Sequence, residues 1–143
     1  MPGSNCETGP GMSQENIDKA RAFIEAYNRR DFDAAVQSFD PEIDWVLPAH
    51  QSSDSCRGPD EIKRFWEGID ETFDELRLEP QEFLDAGDHV VTRLRHHGRG
   101  KESGIVIEEE LYHQVATFHA GKIVRLEYFV EWSEALAAAG LSE

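Results

Sequence analysis

The feature that most constrains this chain is a strand–turn–strand–helix pattern over residues 111–141. Two segments rich in β-branched and aromatic residues flank Ala120-Gly121, a tight-turn signal, and Gly140 closes the helix that follows. Near the N-terminus, Ser13 opens an amphipathic helix. Its apolar stripe comprises Ile17, Ala20, Ile24 and Tyr27. Together, the two patterns predict a small cone-shaped fold with a pocket inside.

The rest of the chain places helices first and strands afterwards. Asp31 or Asp33 caps a short second helix through Phe39, and Pro59 opens a third helix whose apolar residues have helical spacing. Predicted strands cover 43–47, 76–85, 89–97, 105–118 and 122–130, and a last helix with Ser133 as its cap covers 133–139. This order predicts an α+β fold: a curved antiparallel sheet wrapped around three N-terminal helices, with a short C-terminal helix.

Composition favours one domain with no affinity for polyanions. The 143 residues are 39% hydrophobic, and we expect residues 13–143 to form a single domain behind a disordered arm over 1–12. The net charge of -15, from 29 acidic and 14 basic side chains, repels nucleic acid and anionic membranes. Because no apolar run suits a membrane span and the first residues have no secretory signal, we expect a cytoplasmic location.

Several segments match one protein family in order and spacing. They are AYNRRDFDAAVQSFDPEI, DWVLP followed by RGPDEIKRFW, FHAGKIVRLEYFVE and the closing EALAAAGL. With these segments the chain resembles the SnoaL-like branch of the nuclear transport factor 2-like superfamily, over roughly Glu15 to Leu141. The resemblance implies a cone with an apolar pocket, usually in a homodimer. It implies no single activity, because the superfamily includes cyclases, isomerases, hydrolases and non-catalytic binding domains.

The catalytic residues of steroid isomerases with this fold are missing at the matching positions. Those enzymes use a tyrosine on the first helix and an aspartate base. The resemblance places Phe23 at the position of the tyrosine and Leu47 at the position of the aspartate. Their second aspartate falls near Leu94 or His96. A proton abstraction of that type needs a base and an oxyanion donor, and the matching residues supply neither.

The epoxide hydrolase pattern is also broken. Its Arg-x-Asp is Arg93-Leu94-Arg95 in this chain, and its last-strand aspartate matches Tyr128 or Glu131. The polyketide cyclases of the superfamily use an acidic residue near the end of the last strand. Glu131 is the nearest candidate for that role.

His96 is the first candidate for acid–base chemistry. Alternation along its strand puts it on the apolar inner face, with Val90 and Leu94. If the hairpin register places Glu108 or Glu110 beside it, the pair forms an acid–base dyad. The alternative is a histidine at a wet end of the sheet among solvated glutamates.

The neighbouring strand complicates this assignment. In predicted strand 105–118 the odd-numbered residues are the more apolar ones, so either a bulge changes the parity or the odd face is buried in a dimer. On the outer face, Arg93, Arg95 and His97 predict cross-strand ion pairs, for instance with Glu109, or alternatively an anion site.

Three further residues are catalytic candidates beside His96, namely His50, Tyr128 and Glu131. His50 belongs to a loop at the mouth of the pocket, where it is either an acid–base group or an exposed loop residue. Tyr128 either orients a substrate carbonyl or is a core tyrosine bonded to a neighbour. The expected ligand-binding residues are Trp45, Leu47, Phe23, Trp66, Tyr112 and Gln114, with Trp45 alternatively a core residue.

We expect no metal and no cofactor. His96 and His97 point to opposite sides of a strand, so they cannot bind one metal ion together. The two cysteines, Cys6 and Cys56, are isolated from each other, and Cys56 lies in a predicted loop. The first functional hypothesis is a SnoaL-like isomerase, cyclase or hydrolase that acts on an apolar carbonyl or polyketide-like compound by acid–base catalysis. The alternative is a non-catalytic ligand-binding or dimerisation module. The expected partners are a small apolar molecule and a second copy of the chain.

Overall fold

The structure, a computed structural model, describes residues 10–46, 55–100 and 106–141. Its helices are α1 (Pro10–Asn28), α2 (Phe32–Ala35), α3 (Pro59–Thr72) and α4 (Trp132–Ala138). Its strands are β1 (Phe39–Val46), β2 (Ser55–Arg57), β3 (Phe73–Ala86), β4 (His89–Gly100), β5 (Val106–His119) and β6 (Lys122–Phe129). The predicted α+β fold is confirmed. Within the described ranges, no helix has the length and apolarity needed to cross a membrane.

Several boundaries differ from the prediction for local reasons. Helix α1 begins at Pro10, before the predicted cap Ser13, since proline is favoured in the first turn. Phe39 starts β1 instead of ending α2, because it pairs with Ile123. Cys56 lies in strand β2 instead of a loop. Residues 1–9 of the predicted arm lie outside the described residues.

The curved sheet is open and has the order β2-β1-β6-β5-β4-β3. Neighbouring strands are antiparallel, except that β1 pairs with β6 in parallel, with Trp45 opposite Leu126. Strands β3 to β6 form the expected antiparallel meander, and the parallel β1–β6 pair makes the whole sheet mixed. A parallel pair needs a long crossover connection, and here β2, α3 and strands β3 to β5 supply it.

A bulge changes the parity of β5 at one end of the strand. His96 pairs with Glu110, but two residues later Gly98 pairs with Ile107, so β5 contains one extra residue there. Beyond the bulge, an odd-numbered position of β5 therefore stands opposite an even-numbered position of β4. The bulge changes the parity for Ile107, whereas Val115, on the other side of the bulge, stays on the outer face and packs against Ala135 and Ala139 of the C-terminal helix. Burial of the odd-numbered face in a dimer stays a prediction.

Trp66 on α3 is the centre of the core. The side chain is 1% exposed, and five aromatic rings contact it at centroid distances from 5.3 to 6.1 Å. These rings are Phe23, Tyr27, Phe32, Phe39 and Trp45. Since each such pair adds about 0.5–1.5 kcal/mol beyond burial of its area, the cluster holds α1, α2, α3 and β1 together.

The end of α1 covers the edge strand β3. The Asn28 side chain accepts from the Leu78 backbone N–H at 2.9 Å and donates to the Leu78 carbonyl at 2.8 Å. Arg30 donates to the Leu76 carbonyl at 2.7 Å and pairs with Asp70 at 2.7 Å. These bonds occupy backbone groups that an exposed edge strand would offer to another chain.

Helix α4 packs on the outer face of the sheet. Ala135 and Ala139 lie against Val91 and Val115 in a second apolar cluster. The helix starts one residue before Ser133, and Glu131 occupies the cap position without a side-chain cap bond, so the predicted cap was wrong. The Asp31 cap of α2 is confirmed, because its carboxylate accepts from the Ala34 N–H at 3.2 Å.

His113 links the outer face to α4. Its ring is 5% exposed and lies 5.3 Å from the Trp132 ring, and its Nδ1–H donates to the Phe129 carbonyl at 3.3 Å. The guanidinium of Arg93 stacks on the same tryptophan at 4.5 Å. Burial is the main cause that lowers the pKa of His113, and the Arg93 charge adds to it.

We therefore predict that His113 makes the protein less stable in mild acid. Its folded-state pKa is below the unfolded value of about 6.5, so the unfolded chain binds the proton more readily and stability falls as pH drops below that value. Urea unfolding of the wild type and His113→Gln at pH 7.5 and 5.0 measures the effect. The free energy of unfolding should fall less in His113→Gln. The exposed-site variant His119→Gln should behave like wild type, and equal losses in all three proteins would contradict the assignment.

Candidate functional site

A row of polar side chains crosses the inner face of the sheet. Thr92 on β4 pairs in register with Gln114 on β5, and Gln114 pairs with Tyr128 on β6. On the next strand, β1, the ring of Trp45 lies 5.0 Å from that of Tyr128. We call these four residues the polar row. Their neighbours on the same face, Leu94 among them, belong to the apolar core.

Hydrogen bonding within the polar row is incomplete. The Tyr128 hydroxyl donates to Gln114 Oε1 at 2.9 Å, so the expectation of a core tyrosine bonded to a neighbour is confirmed. Three other buried atoms have no hydrogen-bond partner among the described residues: Trp45 Nε1, Thr92 Oγ1 and Gln114 Nε2. A buried polar group without a partner costs about 1–3 kcal/mol. The row therefore has three donors that a bound molecule with acceptor atoms can satisfy.

Tyr27 and Tyr128 are protonated at neutral pH. Burial raises the pKa of Tyr128 well above its ordinary value, and Tyr27 adds to the effect. Burial likewise raises the pKa of Tyr27 to about 12, with Arg30 opposing and Asp70 adding to the shift. Tyr128 therefore acts as a hydrogen-bonding group and not as a base.

The polar row is tightly enclosed. Thr92 and Gln114 are completely buried, whereas Trp45, Tyr112 and Tyr128 each retain a small exposed fraction. The donors of Thr92 and Gln114 therefore lie beneath aromatic side chains, within the core.

His96 lies on β4, two positions from Leu94 on the inner side of the sheet. Its ring is 4.8 Å from the ring of Tyr112, and its backbone pairs with Glu110 on one side and Leu78 on the other. This is the register that the dyad hypothesis requires. The dyad itself stays a prediction.

The other candidates fall into three groups. Glu131 is exposed and starts the helix on the outer face, so the structure does not bring it to His96. His50 and Leu47 lie outside the described residues. Phe23 and Trp66 are packed within the aromatic cluster, and Trp45 joins that cluster to the polar row.

Thr92 is the site residue that sequence reasoning did not select. The alternation of β4 already placed it inward, and a hydroxyl between Val90 and Leu94 was the available signal. On the outer face an expected cross-strand ion pair is present, although it joins β4 to β3: Arg93 lies 4.0 Å from Glu82. His97 Nε2 lies within hydrogen-bond distance of Glu79, at 3.0 Å.

Solved structures with the same fold are numerous. An NTF2-like protein of unknown function from Burkholderia pseudomallei is 23% identical, with 86% of this chain and 95% of that chain covered and a TM-score of 0.73. An NTF2-like protein from Burkholderia thailandensis is 28% identical over 78% and 87% of the two chains, with a TM-score of 0.73. TerC, co-crystallised with polyporic acid, is 23% identical over 82% and 92%, with a TM-score of 0.72.

Comparison with curated proteins gives no match. At the level of the family, the model of the SnoaL-like domain matches residues 20–126, which is well over half of the chain. The match spans the aromatic cluster and all but one residue of the polar row, Tyr128. The chain therefore belongs to the SnoaL-like domain family.

Proposed function

We propose that this protein binds a small, largely apolar molecule that carries carbonyl or other acceptor oxygens on the inner face of its sheet. The observation that carries the proposal is the polar row with its three unsatisfied donors. The fold supports it too, because TerC, whose structure is similar, was co-crystallised with a small molecule, polyporic acid.

The polar row favours oxygen acceptors over other ligand groups. Because Gln114 accepts from Tyr128 through Oε1, its amide is oriented with Nε2 as the available end. The indole of Trp45 and the hydroxyl of Thr92 add two more donors within the same layer. A carbonyl oxygen accepts two hydrogen bonds, so one or two such oxygens satisfy the row.

The same donors discriminate against hydrocarbons. A site with buried hydrogen-bonding groups rejects an analogue that lacks the matching oxygen, because those groups stay unsatisfied in that complex. The aromatic rings of Trp45 and Tyr128, 5.0 Å apart at their centroids, supply apolar surface to a flat ligand. The preferred ligand is therefore a flat ketone or quinone and not an aromatic hydrocarbon of equal size.

We predict that 1-tetralone binds and that tetralin, which has the same rings without the oxygen, binds at least about tenfold more weakly. Titration followed by tryptophan fluorescence measures both affinities, since Trp45 belongs to the site. Gln114→Leu should weaken 1-tetralone binding by about tenfold and leave tetralin unchanged. Gln81→Leu, at an exposed position of β3, is the matched control. Equal affinity for the two compounds would overturn the proposal.

A second candidate function is acid–base catalysis on the bound carbonyl compound, with no cofactor. The pairing of His96 with Glu110 across β4 and β5 favours it, together with the packing of His96 on Tyr112. A histidine takes up and releases protons near neutral pH, as an isomerase, cyclase or hydrolase of this kind requires. His50 and Glu131 stay catalytic candidates from the sequence, with less structural support.

Exchange of the α-hydrogens of 1-tetralone for deuterium tests this catalysis without knowledge of the natural substrate. We predict that the protein accelerates the exchange, measured by NMR, and that His96→Gln reduces the rate by about 10²–10⁴-fold. Binding of 1-tetralone should persist in that variant, and His119→Gln should exchange like wild type. If wild type does not exceed buffer, the protein is a binding module and the catalytic role of His96 is wrong.

We also propose that the protein forms a homodimer and that it is cytoplasmic. Both proposals rest mainly on the sequence. Val130, next to the end of β6, is 44% exposed and is the one large apolar side chain so exposed within the described ranges. Light scattering should give twice the chain mass of 16.2 kDa. Val130→Glu should shift the protein toward the monomer, whereas a monomeric wild type would exclude the dimer.

A further inference from the structure

A separate cavity of about 240 Å³ lies at the end of the cone formed by the β3–β4 and β5–β6 turns. Residues of α1, the Asp88 turn and the start of the Ala120-Gly121 turn line it. No member of the polar row contributes to its walls. His96 lies toward the other end of β4, near Gly100, so this cavity is distinct from the site described above.

Asn16 is the buried polar group of this cavity. The residue is only 8% exposed, and it lines the cavity. No hydrogen bond of its side chain is observed within the described part of the chain, so the amide faces the cavity with its hydrogen-bonding capacity unused. Its oxygen and its nitrogen are both available to a molecule in the cavity.

The remaining walls combine one aromatic ring with negative charge. Phe118 is nearly buried and forms an apolar wall, whereas the carboxylates of Glu15 and Asp88 are exposed at the rim. The ammonium of Lys19 donates to the Gly121 carbonyl at 2.6 Å, which holds it at the turn. Two carboxylates and one ammonium leave the rim with a net negative charge, within a chain of net charge -15.

These contacts suit a small organic cation. A carboxylate pair attracts an ammonium group, an aromatic face adds a cation–π contact, and the Asn16 oxygen accepts a hydrogen bond from N–H. The volume is below the ~300–1,000 Å³ of sites for drug-sized ligands, so the ligand is a small one. We propose that this cavity binds a primary alkylammonium or arylalkylammonium ion, with its nitrogen near Asn16, Glu15 and Asp88 and its apolar body against Phe118.

Benzylamine, which is protonated at neutral pH, tests the proposal against benzyl alcohol and benzoate, which have the same ring with no charge or a negative one. In NMR titrations of the full chain, benzylammonium should cause saturable shifts at the amides of Asn16, Phe118 and Gly121, and leave Gln114 unshifted. Benzyl alcohol should bind about tenfold more weakly, and benzoate should not bind.

Two variants and a control complete the test. Asn16→Ala and Asp88→Asn should each weaken benzylammonium binding by about fivefold to tenfold. The matched charge control is Glu25→Gln, which lies on α1 like Asn16 but does not line the cavity, and it should leave binding unchanged. Equal binding of the amine and the alcohol, or an equal loss in Glu25→Gln, would overturn the site. Because Gln114 and His96 are untouched, failure here leaves the result with 1-tetralone unaffected.

Discussion

The packing of five aromatic rings around Trp66 is the interaction on which the rest of the structure depends. It joins three helices to β1, and the inner face of the sheet packs against them in the same core cluster. Trp45 belongs both to this cluster and to the polar row, since its ring also contacts Tyr128. The geometry of the donors is therefore tied to the packing of the core, and a ligand that moves Trp45 also perturbs the cluster.

The inner face of the sheet and the end with the β-turns offer different chemistry. On the inner face, hydrogen-bond donors are enclosed by apolar and aromatic side chains, which favours a flat molecule with acceptor oxygens. At the end with the β-turns, two carboxylates and an amide surround a phenylalanine ring, which favours a cation. Because the two proposed sites share no residue, each can be changed by substitution while the other is kept.

The sequence predicts those elements whose signals are local. It does not predict features that depend on which distant strands pair with each other. The Ala120-Gly121 turn is confirmed, and both residues have positive φ (51° and 80°), as a tight hairpin turn of this kind requires. The inward alternation of β4 was also predictable. The parallel pairing of β1 with β6 was not, because no local pattern encodes a partner so far along the chain. The polar row depends on the same non-local registers, and so only Gln114, Tyr128 and Trp45 were selected and Thr92 was missed.

The parallel pair also determines the order in which the molecule can be assembled. Trp45 lies opposite Leu126, so about 80 residues separate the two strands, and closing so long a loop is slow compared with forming a hairpin. During synthesis, helices α1 to α3 and β1 leave the ribosome long before the strand that completes their sheet. Until β6 arrives, one edge of β1 stays uncovered and Trp45 lacks its contact with Tyr128, so the early chain presents an unpaired strand edge of the kind that other chains can join.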